Sequence, residues 1–76
     1  MIKVILPELG EGIQKATVAC WHRKVNDKVE EGEDIVELVT AKASFNVSAG
    51  GSRIITKIFV KESQDAKIGE TLAVIE

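Results

Sequence analysis

The chain has 76 residues, ten Lys and Arg against twelve Asp and Glu, and a formal net charge of −2. That length allows one small domain, residues 1–76, and 45% hydrophobic content supplies enough apolar side chains for one thin two-layer core. The acidic balance and only three aromatic residues (Trp21, Phe45, Phe59) exclude a nucleic-acid binder built on a basic patch and base stacking. The longest apolar runs, such as Val18 to Trp21 and Leu72 to Ile75, are far too short to cross a bilayer or to form the core of a signal peptide. A single cysteine, Cys20, rules out an internal disulfide and a Cys-based zinc site, and points to a reducing compartment.

Taken in chain order, the apolar residues recur at spacing two or in short β-branched runs. Ile2, Val4 and Leu6 share one face of an opening strand that Pro7 stops. Further strands are predicted over 17–22, 34–40, 44–47, 54–60 and 71–75. Turn residues separate them: Gly10-Glu-Gly12, Asn26-Asp27, Glu31-Gly32, Ala49-Gly-Gly51, Ser63-Gln-Asp65 and Gly69. The fold class is therefore all-β, a barrel or sandwich. Read locally, Ser63 to Gly69 could form one helical turn, with a capping serine and a terminal glycine. A longer-range pattern overrules it. Shifting the chain by 37 residues lays 27–38 over 64–75, with Gly32 on Gly69, Glu33 on Glu70, Ile35 on Leu72 and Leu38 on Ile75. The same shift lays 17–24 over 54–61. Two equivalent β halves, neither with a complete core, are expected to pack about a pseudo-twofold axis.

The junction of the halves holds a short hairpin connection, Thr40-Ala-Lys-Ala43, followed by Ser44. It has no Gly or Asn, so a type I turn is expected rather than a primed one. The flanking alanines leave the Lys42 side chain projecting from a sparse tip. An exposed lysine on a turn is by itself ordinary surface chemistry.

The order of motifs around that lysine resembles the lipoyl domain of the acyltransferase component of 2-oxo acid dehydrogenase complexes, over nearly all of the chain. The residues that carry the resemblance are Leu6-Pro-Glu-Leu-Gly-Glu-Gly-Ile13, Ala16-Thr-Val18 with Trp21, Lys24-Val-Asn-Asp-Lys-Val29, Glu31-Gly-Glu33 and Glu37-Leu-Val-Thr40. The resemblance implies a flattened β-barrel of two four-stranded antiparallel sheets, a barrel-sandwich hybrid, with lipoic acid in amide linkage on Lys42. It also implies that Thr40, Ala41, Ala43 and Ser44 flank the lysine as recognition residues. Glu8, Gly10, Glu11 and Gly12 would lie on a neighbouring partner-contact loop. The implied partners are a lipoylating enzyme, a thiamine-diphosphate 2-oxo acid dehydrogenase, an acyltransferase core and a dihydrolipoyl dehydrogenase. The domain itself would be a non-catalytic, monomeric part of a dihydrolipoamide acyltransferase, working in a bacterial cytoplasm or mitochondrial matrix without nucleic-acid or membrane partners.

Four departures from the family pattern stand out: Ala41 for aspartate, Gly50 for proline, Arg53 for glycine and Ser63-Gln64 for Gly-Asp. None removes the amine. Restoring the carboxylate with Ala41→Asp is expected to raise the initial rate of reductive acylation by some dehydrogenase partners and to leave lipoylation unchanged. Equal initial rates for the two lipoylated forms would refute this. Two other readings share the fold: a biotin carboxyl carrier, whose lysine is usually bracketed by methionines where this chain has Ala41 and Ala43, and an unmodified structural module. Elsewhere in the chain, His22 and Trp21 are expected to be structural, and Cys20 a core or half-buried residue. Glu30, Glu31, Glu33 and Asp34 are expected to form a solvated turn.

Overall fold

The computed structural model describes residues 1–76 as eight strands. They are β1 (Ile2–Ile5), β2 (Lys15–Trp21), β3 (Lys28–Val29), β4 (Asp34–Val39), β5 (Ser44–Ser48), β6 (Arg53–Ile58), β7 (Asp65–Lys67) and β8 (Thr71–Ile75). Two four-stranded sheets, ordered β1-β8-β6-β3 and β5-β4-β2-β7, pair antiparallel throughout. The expected all-β sandwich is what forms. Each half of the chain gives two strands to each sheet, which is why half the sequence cannot close a core alone.

Backbone hydrogen bonds repeat across the 37-residue shift. His22 N–H donates to Ile35 O and Phe59 N–H to Leu72 O, both at 2.8 Å. Asn26 N–H reaches Ile55 O at 2.7 Å, and Ser63 N–H reaches Val18 O at 2.8 Å. Even the unusual backbone angles recur: φ is 77° at Asn26 and 72° at Ser63, 87° at Gly32 and 88° at Gly69. At Gly32 and Gly69 the missing Cβ makes this left-handed conformation free of steric cost. Side-chain caps follow the same rule. Asp27 and Gln64 accept from Lys24 N–H and Lys61 N–H, both at 2.8 Å, so the Ser63-Gln64 departure keeps the turn geometry.

Every buried residue is apolar. Six of the nine largest fully buried side chains fall on counterpart positions of the two halves: Val18 and Ile55, Ile35 and Leu72, Leu38 and Ile75. These pairs form one core between the sheets.

Periodicity misses β3 and β7, because two or three residues carry no readable alternation. The possible helical turn at Ser63–Gly69 is instead a three-residue strand, Asp65–Lys67, between two turns. Ser63 leaves the helical region with its positive φ, and Asp65, Ala66 and Lys67 pair with Thr17, Ala16 and Lys15 of β2. The predicted strand over 54–60 ends at Ile58, and that over 17–22 ends at Trp21.

Of the carboxylates at 30–34, Glu30, Glu31 and Asp34 are exposed as expected, and Glu33 alone departs from the solvated turn. Glu33 is half-buried, accepts from Glu30 N–H at 3.1 Å and pairs with Arg23. Asp34 accepts from Ser48 Oγ at 3.1 Å. The Glu30 N–H, and after it the Arg23 guanidinium, hold the Glu33 carboxyl below its ordinary value. A carboxyl depressed on folding stabilises the fold above its unfolded pKa, about 4.3 for glutamate, and loses that contribution as pH falls through the folded value. Glu33→Gln is therefore expected to lower the urea midpoint at pH 7 and to cost less at pH 3. An equal loss at both pH values would show that the charge plays no part.

Candidate functional site

The hairpin between β4 and β5 turns within Thr40–Ala43. Its register places Val39 opposite Ser44, and Thr40 N–H closes it by donating to Ala43 O at 2.8 Å. No residue of the turn has positive φ, as expected for a connection without Gly or Asn. The brace is a side chain. Thr40 Oγ1 accepts from Lys42 N–H and Ala43 N–H, each at 3.2 Å, and donates to Ala43 O at 3.0 Å. One hydroxyl thus ties down two backbone donors of a tip that offers no other acceptor side chain for the task.

Ala41, Lys42, Ala43 and Ser44 are exposed, while Thr40 is partly buried. Lys42 takes part in neither of the molecule's ion pairs, Lys15–Asp65 and Arg23–Glu33. Its amine is therefore a free, flexible end on a fixed backbone. Thr40→Ala should cost about 1 kcal/mol, the contribution of an ordinary hydrogen-bond set at a surface turn. Amide exchange at Lys42 and Ala43 should accelerate roughly fivefold while the core amides stay protected. Unchanged exchange would mean that the hydroxyl does not hold the tip.

Beside the hairpin lies an open groove between the start of β2, the end of β4 and β7, lined in part by Ala41, Lys42, Gly12, Ile13, Lys15 and Lys67. Of the loop residues expected near the lysine, the structure brings Gly12 to this groove. Glu8, Gly10 and Glu11 are exposed on the same loop but do not line it. The loop is turned back by Ile13 N–H donating to Gly10 O at 3.2 Å, which leaves Glu11 within an exposed bend. Lys15 and Lys67 are the groove residues that sequence reasoning missed. Their proximity arises from the β2–β7 register, which has no local sequence signal.

The remaining reactive side chains have structural surroundings. Trp21 is half-buried and its Nε1–H donates to Val60 O at 2.8 Å. His22 sits one residue beyond β2, exposed, with Nε2 3.0 Å from Asn46 Oδ1. Cys20 is half-buried with Sγ 3.6 Å from Glu37 Oε1. Desolvation, then the Glu37 carboxylate, raises the Cys20 pKa and keeps the thiol protonated, the opposite of what a nucleophile needs.

Comparison with known proteins agrees with this geometry. The family model Biotin_lipoyl, described as "Biotin-requiring enzyme", matches residues 2–75. The chain is 35% identical over 75 residues to the dihydrolipoyllysine-residue succinyltransferase component of the 2-oxoglutarate dehydrogenase complex of Staphylococcus saprophyticus, covering 99% of this chain and 18% of that protein. The protein of the same description from Rickettsia conorii is 36% identical over 74 residues, covering 97% of this chain and 19% of its own length. The chain thus spans under a fifth of the length of these relatives. The solution structure of the lipoyl domain of the 2-oxoglutarate dehydrogenase complex from Azotobacter vinelandii superposes with a TM-score of 0.81 at 32% identity, covering 100% of this chain and 96% of that domain. With the match running the full length of a domain of equal size, the chain belongs to the biotin/lipoyl attachment family, as a lipoyl domain of the kind found in acyltransferase components of 2-oxo acid dehydrogenase complexes.

Proposed function

We propose that Lys42 carries lipoic acid in amide linkage and that the domain serves as the mobile acyl carrier of a 2-oxo acid dehydrogenase complex. The supporting observation is the exposed, unpaired amine at the apex of a hairpin braced by Thr40. That site fits the group. A modifying enzyme can surround the tip, the small flanks Ala41 and Ala43 do not obstruct it, and acylation of the amine breaks no ion pair. When bound, lipoic acid supplies a dithiolane that is reductively acylated, yields its acyl group to coenzyme A and is reoxidised.

The protein's own contribution is presentation. Thr40 fixes the backbone from which the arm springs, and the two sheets hold that backbone rigid. Tethering turns encounters with a thiamine-diphosphate dehydrogenase, an acyltransferase core and a dihydrolipoyl dehydrogenase into events at high effective concentration. The 2-oxoglutarate complexes to which the matched relatives belong make a 2-oxo dicarboxylic acid the favoured substrate class. Intact-mass spectrometry after co-expression with a lipoylating enzyme tests the reading. A lipoyl-sized adduct mapping to Lys42 is expected. A biotin-sized adduct would replace the assignment with a biotin carrier, and no adduct with either ligase would leave a structural module.

A further inference from the structure

In a chain of net charge −2, the groove beside the hairpin is lined by three lysines, Lys15, Lys42 and Lys67, and by no acidic residue. Two of these cations stand in an arrangement that sheets normally avoid. Lys15 of β2 and Lys67 of β7 are direct cross-strand partners, which places their Cβ atoms about 5 Å apart, and like charges so placed destabilise the pairing. Two carboxylates stand near the pair: Asp65, whose Oδ2 lies 3.5 Å from Lys15 Nζ and whose Oδ1 accepts from Thr17 Oγ1 at 2.6 Å, and Glu70, whose Oε1 accepts from Lys67 N–H at 2.9 Å. Lys67 has no ion-pair partner, and the Lys15 side chain remains 68% exposed. Neither Asp65 nor Glu70 lines the groove, so the charged side chains of its own lining are all cationic. Half-buried Ile13 and Val39 add apolar surface to its lining. A partly apolar lining with a cationic rim and no acidic residue, next to the attachment lysine, suits a short methylene chain that ends in a carboxylate.

We propose that Lys15 and Lys67 form a seat for the free carboxylate of a dicarboxylic acyl group carried on the Lys42 arm, so that the groove favours a succinyl-type cargo over a neutral acyl chain of the same length. The proposal rests on the carrier reading above and adds to it the residues of this domain that would select the cargo. Lys42 leaves the charge balance once its amine is an amide, so the discrimination falls to Lys15 and Lys67. A weak site suffices, because a group tethered at the hairpin is present at millimolar effective concentration.

The test uses the domain bearing Lys42→Gln, which removes the ammonium as the lipoyl amide would, and soluble probes, and so does not depend on lipoylation. Amide chemical shifts of the 15N-labelled chain are followed while S-succinyl-N-acetylcysteamine or its neutral isostere S-butyryl-N-acetylcysteamine is added. Saturable shifts at Lys15, Thr17 and Lys67 are expected, with half-saturation about threefold to fivefold lower for the succinyl probe, the discrimination an exposed ion pair supplies. The difference should vanish at high salt. It should also vanish in Lys15→Gln/Lys67→Gln and return in Lys15→Arg/Lys67→Arg. Equal half-saturation for the two probes, or no shift with either, would overturn the proposal and leave the cations to an acidic protein surface. Failure of lipoylation at Lys42 is read separately by mass, so the two ideas can fail independently.

Discussion

Replacing Lys42 with arginine should abolish lipoyl attachment and reduce acyl acceptance to background, while leaving the fold intact. Arginine preserves the positive charge, the long apolar stem and the backbone N–H that donates to Thr40 Oγ1. What it removes is the nucleophile: a guanidinium stays protonated at every pH the domain tolerates and does not form the amide. Because Lys42 is exposed and forms no ion pair, the stability change should stay within about 0.5 kcal/mol, the usual range for a featureless surface site. The measurement is paired: intact mass with reductive acylation on one side, urea unfolding on the other. Surviving acylation would place the arm on another residue. A lost fold would mean that the loss of acylation says nothing about attachment.

The sequence made the pseudo-twofold legible because its features lie in local chemistry that repeats. Gly32 and Gly69 must both adopt positive φ, and Ile35 and Leu72 must both point into the core, so the 37-residue shift finds them. The position of Lys42 was legible for a similar reason, since a four-residue gap of small and polar residues between two alternating runs reads as a tight connection. Other features depend on which strands become neighbours, and no single segment encodes that. β7 exists because β2 offers it an edge, and the groove with its opposed lysines follows from that pairing. Glu33 was misread for the same reason: on the sequence it is one of four acids in a turn, and the fold alone brings Arg23 to it across ten positions. The brace supplied by Thr40 lay between these cases. A threonine two residues before the lysine could have signalled a side-chain-closed turn.

The interleaving of the halves also sets how the molecule should fail. Leu72 is fully buried on β8, a strand flanked on both sides within its sheet. Leu72→Ala removes packing that the rigid neighbours cannot restore, at a cost of about 2–5 kcal/mol. A domain of this size holds roughly 4–11 kcal/mol in total, so the midpoint of thermal unfolding should fall by about 10–25 °C. Ile35 occupies the counterpart position on β4, and Ile35→Ala should lower the midpoint to a similar extent. Both variants should unfold in one transition, since each sheet contains strands from both halves and neither half has a core of its own. Leu72 lies in the sheet that does not carry the hairpin. Below its lowered midpoint, the Leu72→Ala domain should therefore still accept lipoate at the normal rate, and above it acceptance should collapse along with the fold. Two separate thermal transitions, or lipoylation impaired well below the midpoint, would show that the sheet bearing Lys42 does not share a single cooperative core with its partner.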